Sequence, residues 1–145
     1  MIDGIERFYP IRNFPALWEK IDGLIEEGRL IVSEEAWNEF GDADAPLKEW
    51  AKEANREKCV RPTDDAVAAL AGQIVNRFPK WAAQGTKNNA DPFVVAVGEL
   101  HECTVISGEK NGGEGNPKIP YVCLVRGVVH GRFVDVVTSE GWVFG

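Results

Sequence analysis

The chain is 145 residues long, with a formal net charge of −7 at pH 7, three cysteines and two histidines. That charge argues against a sequence-independent nucleic-acid binder, which would show a basic face, although carboxylates gathered around a divalent ion contribute negative charge of their own. Its apolar runs fall far short of the roughly 20 residues a membrane span needs, and Ile2 to Tyr9 carries charges where a leader peptide would be apolar.

The length suits a single domain, residues 1–145. Cys59, Cys103 and Cys123 are odd in number and widely spaced, which reads as reduced thiols in a cytoplasmic protein. Neither His101 nor His130 has a Cys or His at ligand spacing, so no zinc site is expected.

In chain order, Ile2 to Tyr9 reads as a short helix with Asp3 as its cap, stopped at Pro10. Phe14, Leu17, Trp18, Ile21, Leu24 and Ile25 recur at helical spacing, and Gly28 ends that helix. Leu30 to Val32 is a short strand running into Ser33, a helix cap followed by Glu34 and Glu35. Ala36, Trp37 and Phe40 form the buried side of that helix, while Glu35 and Glu39 share its other face, a pairing that repels unless a cation lies between them. After the turn-rich 41–46 stretch, Leu47 to Arg56 reads as a charged helix and Lys58 to Val60 as a short strand. Thr63 and Asp64 open a helix to Arg77 with Val67, Leu70, Ala71, Ile74 and Val75 as its core stripe, and Trp81 to Lys87 is a connector.

The most informative stretch is NNADPFVVAVGELHECTVISGEK. Asp91 suits a helix cap with Pro92 in the first turn, the helix runs to about His101, and Cys103 to Ile106 is an interior strand. A helix of roughly ten residues and a strand of about five span about 15 Å each. Packed antiparallel, they bring Asp91 and Glu109 to the same end, at the carboxyl side of the sheet where ligands bind in open α/β folds. The next run, KNGGEGNPKIP, is a loop, Val122 to Val125 is helical or extended, and Phe133 to Val137 reads as a strand. Lys87, Lys110 and Lys118 flank the acids in sequence, where they could contact phosphates.

The alternation of helices and short apolar strands predicts an α/β fold, a three-layer sandwich whose short parallel sheet is flanked by helices. Such a sheet wants a central hydrophobic strand, and the N-terminal third offers none before its helices begin.

Three segments, LIEEGRLIVSEEAWNEF, NNADPFVVAVGELHECTVISGEK and GNPKIPYVC, together resemble PIN-domain proteins, in particular a PIN-like group close to VapC-type toxins, over Met1 to about Cys123. The resemblance implies Mg²⁺- or Mn²⁺-dependent cleavage of RNA at an acidic cluster. On matching positions it implies Glu39, Asp91 and Glu109 as catalytic metal ligands, with Ser107 as the hydroxyl beside the last acid. A cognate antitoxin and a homodimer enter as partners on the resemblance alone. The family's opening strand, ending in Asp-Thr-Asn or Asp-Thr-Ser, has no counterpart here: MIDG resembles the residues immediately after that turn. A start placed too late explains this better than a degenerate member does, and loss of that first Asp would impair activity. The rival expectation is a non-catalytic PIN-like module that binds RNA or a protein partner. A small phosphate-ester hydrolase is less expected, because no glycine-rich phosphate cradle comes after a strand.

Overall fold

The computed structural model describes residues 2–42, 45–54, 56–82 and 90–144. Among these, helices dominate, and the strands are four short parallel segments. The chain opens with α1 (Ile2–Phe8) and α2 (Pro15–Glu26). Pro15 stands at the start of α2, where its missing N–H is harmless, and Gly28 closes the helix with φ +70°. Leu17, Trp18, Ile21, Leu24 and Ile25 are buried as their spacing predicts, whereas Phe14 sits at the cap position and is exposed.

Next come β1 (Val32–Ser33) and α3 (Glu34–Asn38), joined at Ser33, whose Oγ accepts from the Ala36 N–H at 3.3 Å. α3 buries none of its own residues, so the expected burial of Ala36 and Trp37 is corrected: only Phe40, in the 3-10 turn Glu39–Asp42, is buried, with the half-buried Trp37 ring tilted against it. α4 (Ala45–Lys52) is shorter than the expected helix to Arg56, the chain turning at Ala54 with φ +54°. Cys59 ends a 3-10 turn rather than lying in a strand, and β2 is Val60–Arg61. α5 (Asp65–Arg77) is capped by Asp64, which accepts from the Val67 N–H at 2.9 Å, and α6 (Pro79–Ala82) occupies the start of the expected connector.

The C-terminal part comprises α7 (Asp91–Leu100), β3 (Val105–Ile106), α8 (Ile119–Arg126), β4 (His130–Gly131) and α9 (Phe133–Ser139). Phe133 to Val137 is therefore helical, against the expected strand. β-branched content misled there: Asp135 Oδ2 accepts from the Arg132 N–H at 2.7 Å, a side-chain bond back to the cap residue that helps start a helix, and Phe133 packs on a core while Val134 faces water.

β1 pairs with β2 and β3 with β4, both parallel, with Val32 opposite Val60 and Val105 opposite His130. The expected single sheet is thus two separate pairs among the described residues. Two cores lie against them. One gathers Val67, Ala71, Ile74, Phe78 and Trp81 with Val95 to Val97, Val105 and Val122. The other gathers Ile5, Leu17, Trp18, Ile21, Leu47 and Trp50. Along the strand leading to Val32, Ile31 packs on the first core and Leu30 and Val32 on the second, the two-residue alternation of an extended chain between two apolar faces.

Helix α7 touches α5, α3, α8, β1 and β3, so it spans both strand pairs. Gly98 permits this: a Cβ there would lie deep inside the contact distance of the Val105 side chain. The absent side chain lets the helix axis settle against β3 and fixes how the helix start and the strand end face each other.

Candidate functional site

Asp91 is the first residue of α7, with Ala90 rather than Asp91 at the cap position. The expected capping role is therefore corrected. Its Oδ2 is shielded from water and has no hydrogen-bond partner, an arrangement that costs free energy unless the acid holds its proton or meets a cation. Burial, first, and then the charges of Glu109 and Glu39 push its pKa up from 3.8 to about 7.

Glu109 lies beyond β3, at the end where the helix–strand geometry anticipated it. Its Oε2 accepts from the Ile119 N–H at 2.8 Å, so it caps α8 from ten residues upstream; Lys118, at the cap position of that helix, supplies no side-chain cap. Glu39 is the exposed C-cap residue of α3, and it acts on Asp91 through charge. Glu35 is engaged elsewhere: it accepts from the Thr63 hydroxyl at 3.3 Å, while Glu34 accepts from the Thr63 N–H at 2.8 Å. The pair of α3 acids thus ties α3 to the entry of α5 instead of sharing a cation with Glu39.

Ser107 is buried, and its Oγ shares a 2.7 Å hydrogen bond with His130 Nε2. Lys110 is exposed and Lys118 half-buried, whereas Lys87 lies outside the described residues. The loop carrying these lysines is well tied. Glu114 receives both Arg77 Nη1 and Nη2, at 3.0 and 2.5 Å, and the Tyr121 hydroxyl at 3.0 Å. Gly113 and Asn116 bridge antiparallel within it. Gly112 is required at its φ of +71°, because a Cβ would press on the Asn116 carbonyl and the Lys118 side chain.

Asp91, Glu109 and Glu39 therefore share one electrostatic neighbourhood, drawn from the start of α7, the end of β3 and the end of α3. The charges of the other two act on Asp91, yet among the described residues no group of three His, Cys, Asp or Glu is arranged to hold an ion as it stands. The donor set is all carboxylate, the chemistry that suits Mg²⁺ or Mn²⁺, and the unpartnered Asp91 oxygen is a ready ligand atom. In kind, though not as a closed set, these donors fit a hard divalent ion.

Two features escape sequence reasoning. His130 reads in the sequence only as a zinc ligand without companions, and no local pattern ties it to Ser107, 23 residues away. Gly98 carries a signal, a lone glycine inside an apolar helix, which marks close backbone approach.

No helix among the described residues is long and apolar enough to cross a membrane. No curated protein and no solved structure matches the chain. A family model described as "Domain of unknown function (DUF4411)" matches residues 1–144, and the chain belongs to that family.

Proposed function

We propose that this protein is a divalent-metal-dependent ribonuclease that hydrolyses RNA phosphodiesters, with Asp91, Glu109 and Glu39 holding Mg²⁺ or Mn²⁺. The observation that carries this reading is the Asp91 carboxyl, whose Oδ2 is shielded and unpartnered and which feels the charges of two further acids. A group in that position is unfavourable as a bare anion, and a hard cation removes the penalty. Bound there, such an ion supplies a more acidic water and offsets phosphate charge. The chain's own part is to hold Glu109 at the strand end by the Ile119 bond, to release the Asp91 proton as the cation arrives, and to place Lys110 and Lys118 where phosphate oxygens approach.

What supports the PIN-like resemblance is the layering: both strand pairs are parallel, and the segment leading to Val32 runs between two largely helical cores. The three cysteines are unpaired, which suits a reducing cytoplasm.

Isothermal titration with Mn²⁺, together with cleavage of an end-labelled single-stranded RNA, tests the proposal. Binding and cleavage are expected for the native chain and are lost in Asp91→Asn and Glu109→Gln, both of which keep their shape. Cleavage unchanged in Asp91→Asn overturns it.

One observation favours a second reading, a non-catalytic module binding RNA or a protein partner. Glu109 already spends an oxygen on capping α8, and the acids do not form a closed ligand set. RNA binding that is indifferent to Mn²⁺, with no cleavage, selects that reading. An antitoxin or a second copy as partner is read by co-purification and light scattering.

A further inference from the structure

We propose that His130 is a positioning residue for the acidic site: through Ser107 it sets the end of β3 that carries Glu109. The inference rests on the reading of Asp91 and Glu109 as a functional pair.

The geometry is a short relay across two strands. His130 lies in β4 and Ser107 just beyond β3, and their side chains meet at 2.7 Å. The backbone brackets that contact, with the Val105 N–H donating to the Val129 carbonyl at 2.8 Å and the Ser107 N–H to the Gly131 carbonyl at 3.2 Å. The pairing is only two residues long on each strand, so the last ladder bond would fray readily with nothing beyond it. The side-chain bond beyond the register closes that end. Ser107 is 4% exposed, leaving water little access to replace the imidazole as its partner.

Glu109 comes two residues later, and its Oε2 reaches the Ile119 N–H at 2.8 Å. The strand end, the acid and the start of α8 therefore form one chain of contacts whose fixed point is His130. Without that bond Ser107 can turn away from β4, and Glu109 loses the anchor that keeps it facing Asp91. The hydrogen bond of His130 goes to Ser107, while the Glu109 charge reaches the imidazole across space, so the positional effect on the strand end runs through Ser107.

Amide hydrogen exchange of Ile119, measured without metal, reads the position of Glu109 directly. In His130→Phe, which keeps a ring and removes the bond, Ile119 exchange rises roughly fivefold, as expected for loosening one hydrogen bond. The amides of Phe78 and His101, bonded to the Ile74 and Val97 carbonyls, keep their native rates. Ser107→Ala reproduces the effect with a smaller change of volume, the double variant adds nothing further, and His130→Gln, which can reach the hydroxyl again, restores slow exchange. Mn²⁺ affinity, measured in the same variants, falls about tenfold in His130→Phe and Ser107→Ala, in the range typical of partners that orient metal ligands.

An unchanged Ile119 amide in both variants overturns the proposal. So does acceleration of Phe78 and His101 alongside it, which would mean general loosening, or a His130→Gln variant no slower than His130→Phe. If Ile119 responds as stated while even the native chain takes up no Mn²⁺, the positioning role stands and the metal reading falls.

Discussion

Replacing Asp91 by Asn isolates the electrostatic cost of one shielded carboxyl. In the folded chain its pKa is pushed up from 3.8 to about 7, so the native state holds a proton that the unfolded chain releases over that interval. By about pH 3 the group is largely protonated in both states and carries little penalty. As pH rises toward 7 the unfolded state ionises first, and folding stability is progressively lost; above 7 the loss is complete. A displacement of that size corresponds to roughly 4 kcal/mol at full strength, and partial solvent screening of a half-buried group reduces it to about 2 kcal/mol. Asn cannot ionise, so urea unfolding in EDTA should show Asp91→Asn equal to or slightly below the native chain at about pH 3 and above it by about 2 kcal/mol at pH 8. Excess Mn²⁺ reverses the order at pH 8, stabilising the native chain by about 2.7 kcal/mol at a hundredfold excess over its Kd while leaving the variant unchanged. A stability difference that does not vary with pH, or a variant that is less stable at pH 8 in EDTA, refutes the electrostatic argument.

Two further predictions concern the frame that holds the site. Gly98→Ala forces a Cβ into the Val105 side chain and should cost about 1–3 kcal/mol in urea unfolding; because α7 carries Asp91, the same variant should weaken Mn²⁺ binding. Arg56 donates from Nε and Nη2 to the two oxygens of Asp22 at 2.8 Å each, and from Nη1 to the Trp50 carbonyl at 2.6 Å. Arg56→Ala removes both donors to Asp22, while the Trp50 carbonyl keeps the Glu53 N–H at 3.2 Å, and should cost about 2–3 kcal/mol in thermal or urea melts, with Arg56→Lys recovering only part because an ammonium cannot fork.

Much of the local structure was legible in the sequence because it is set by neighbours in the chain. Ser33 and Asp64 cap the helices they precede, Gly28 ends α2, and the apolar stripe of Leu17 to Ile25 is buried. Propensity failed where a local cap outweighed β-branched content, at Phe133 to Val137, and where a side chain took on tertiary work, at Asp91.

The matched lengths of the helix and strand around Asp91 and Glu109 placed both acids at one end before any coordinates, since rise per residue is a property of the backbone. How they interact there could not be read along the chain. Shielding of Asp91 Oδ2, the bond from Ile119 to Glu109 and the contact of Ser107 with His130 all join residues brought together by packing of α7 against β3. Whether a carboxyl near an element's end is a solvated cap or a strained acid with a pKa near 7 depends on what surrounds it in space, and only the tertiary structure supplies those surroundings.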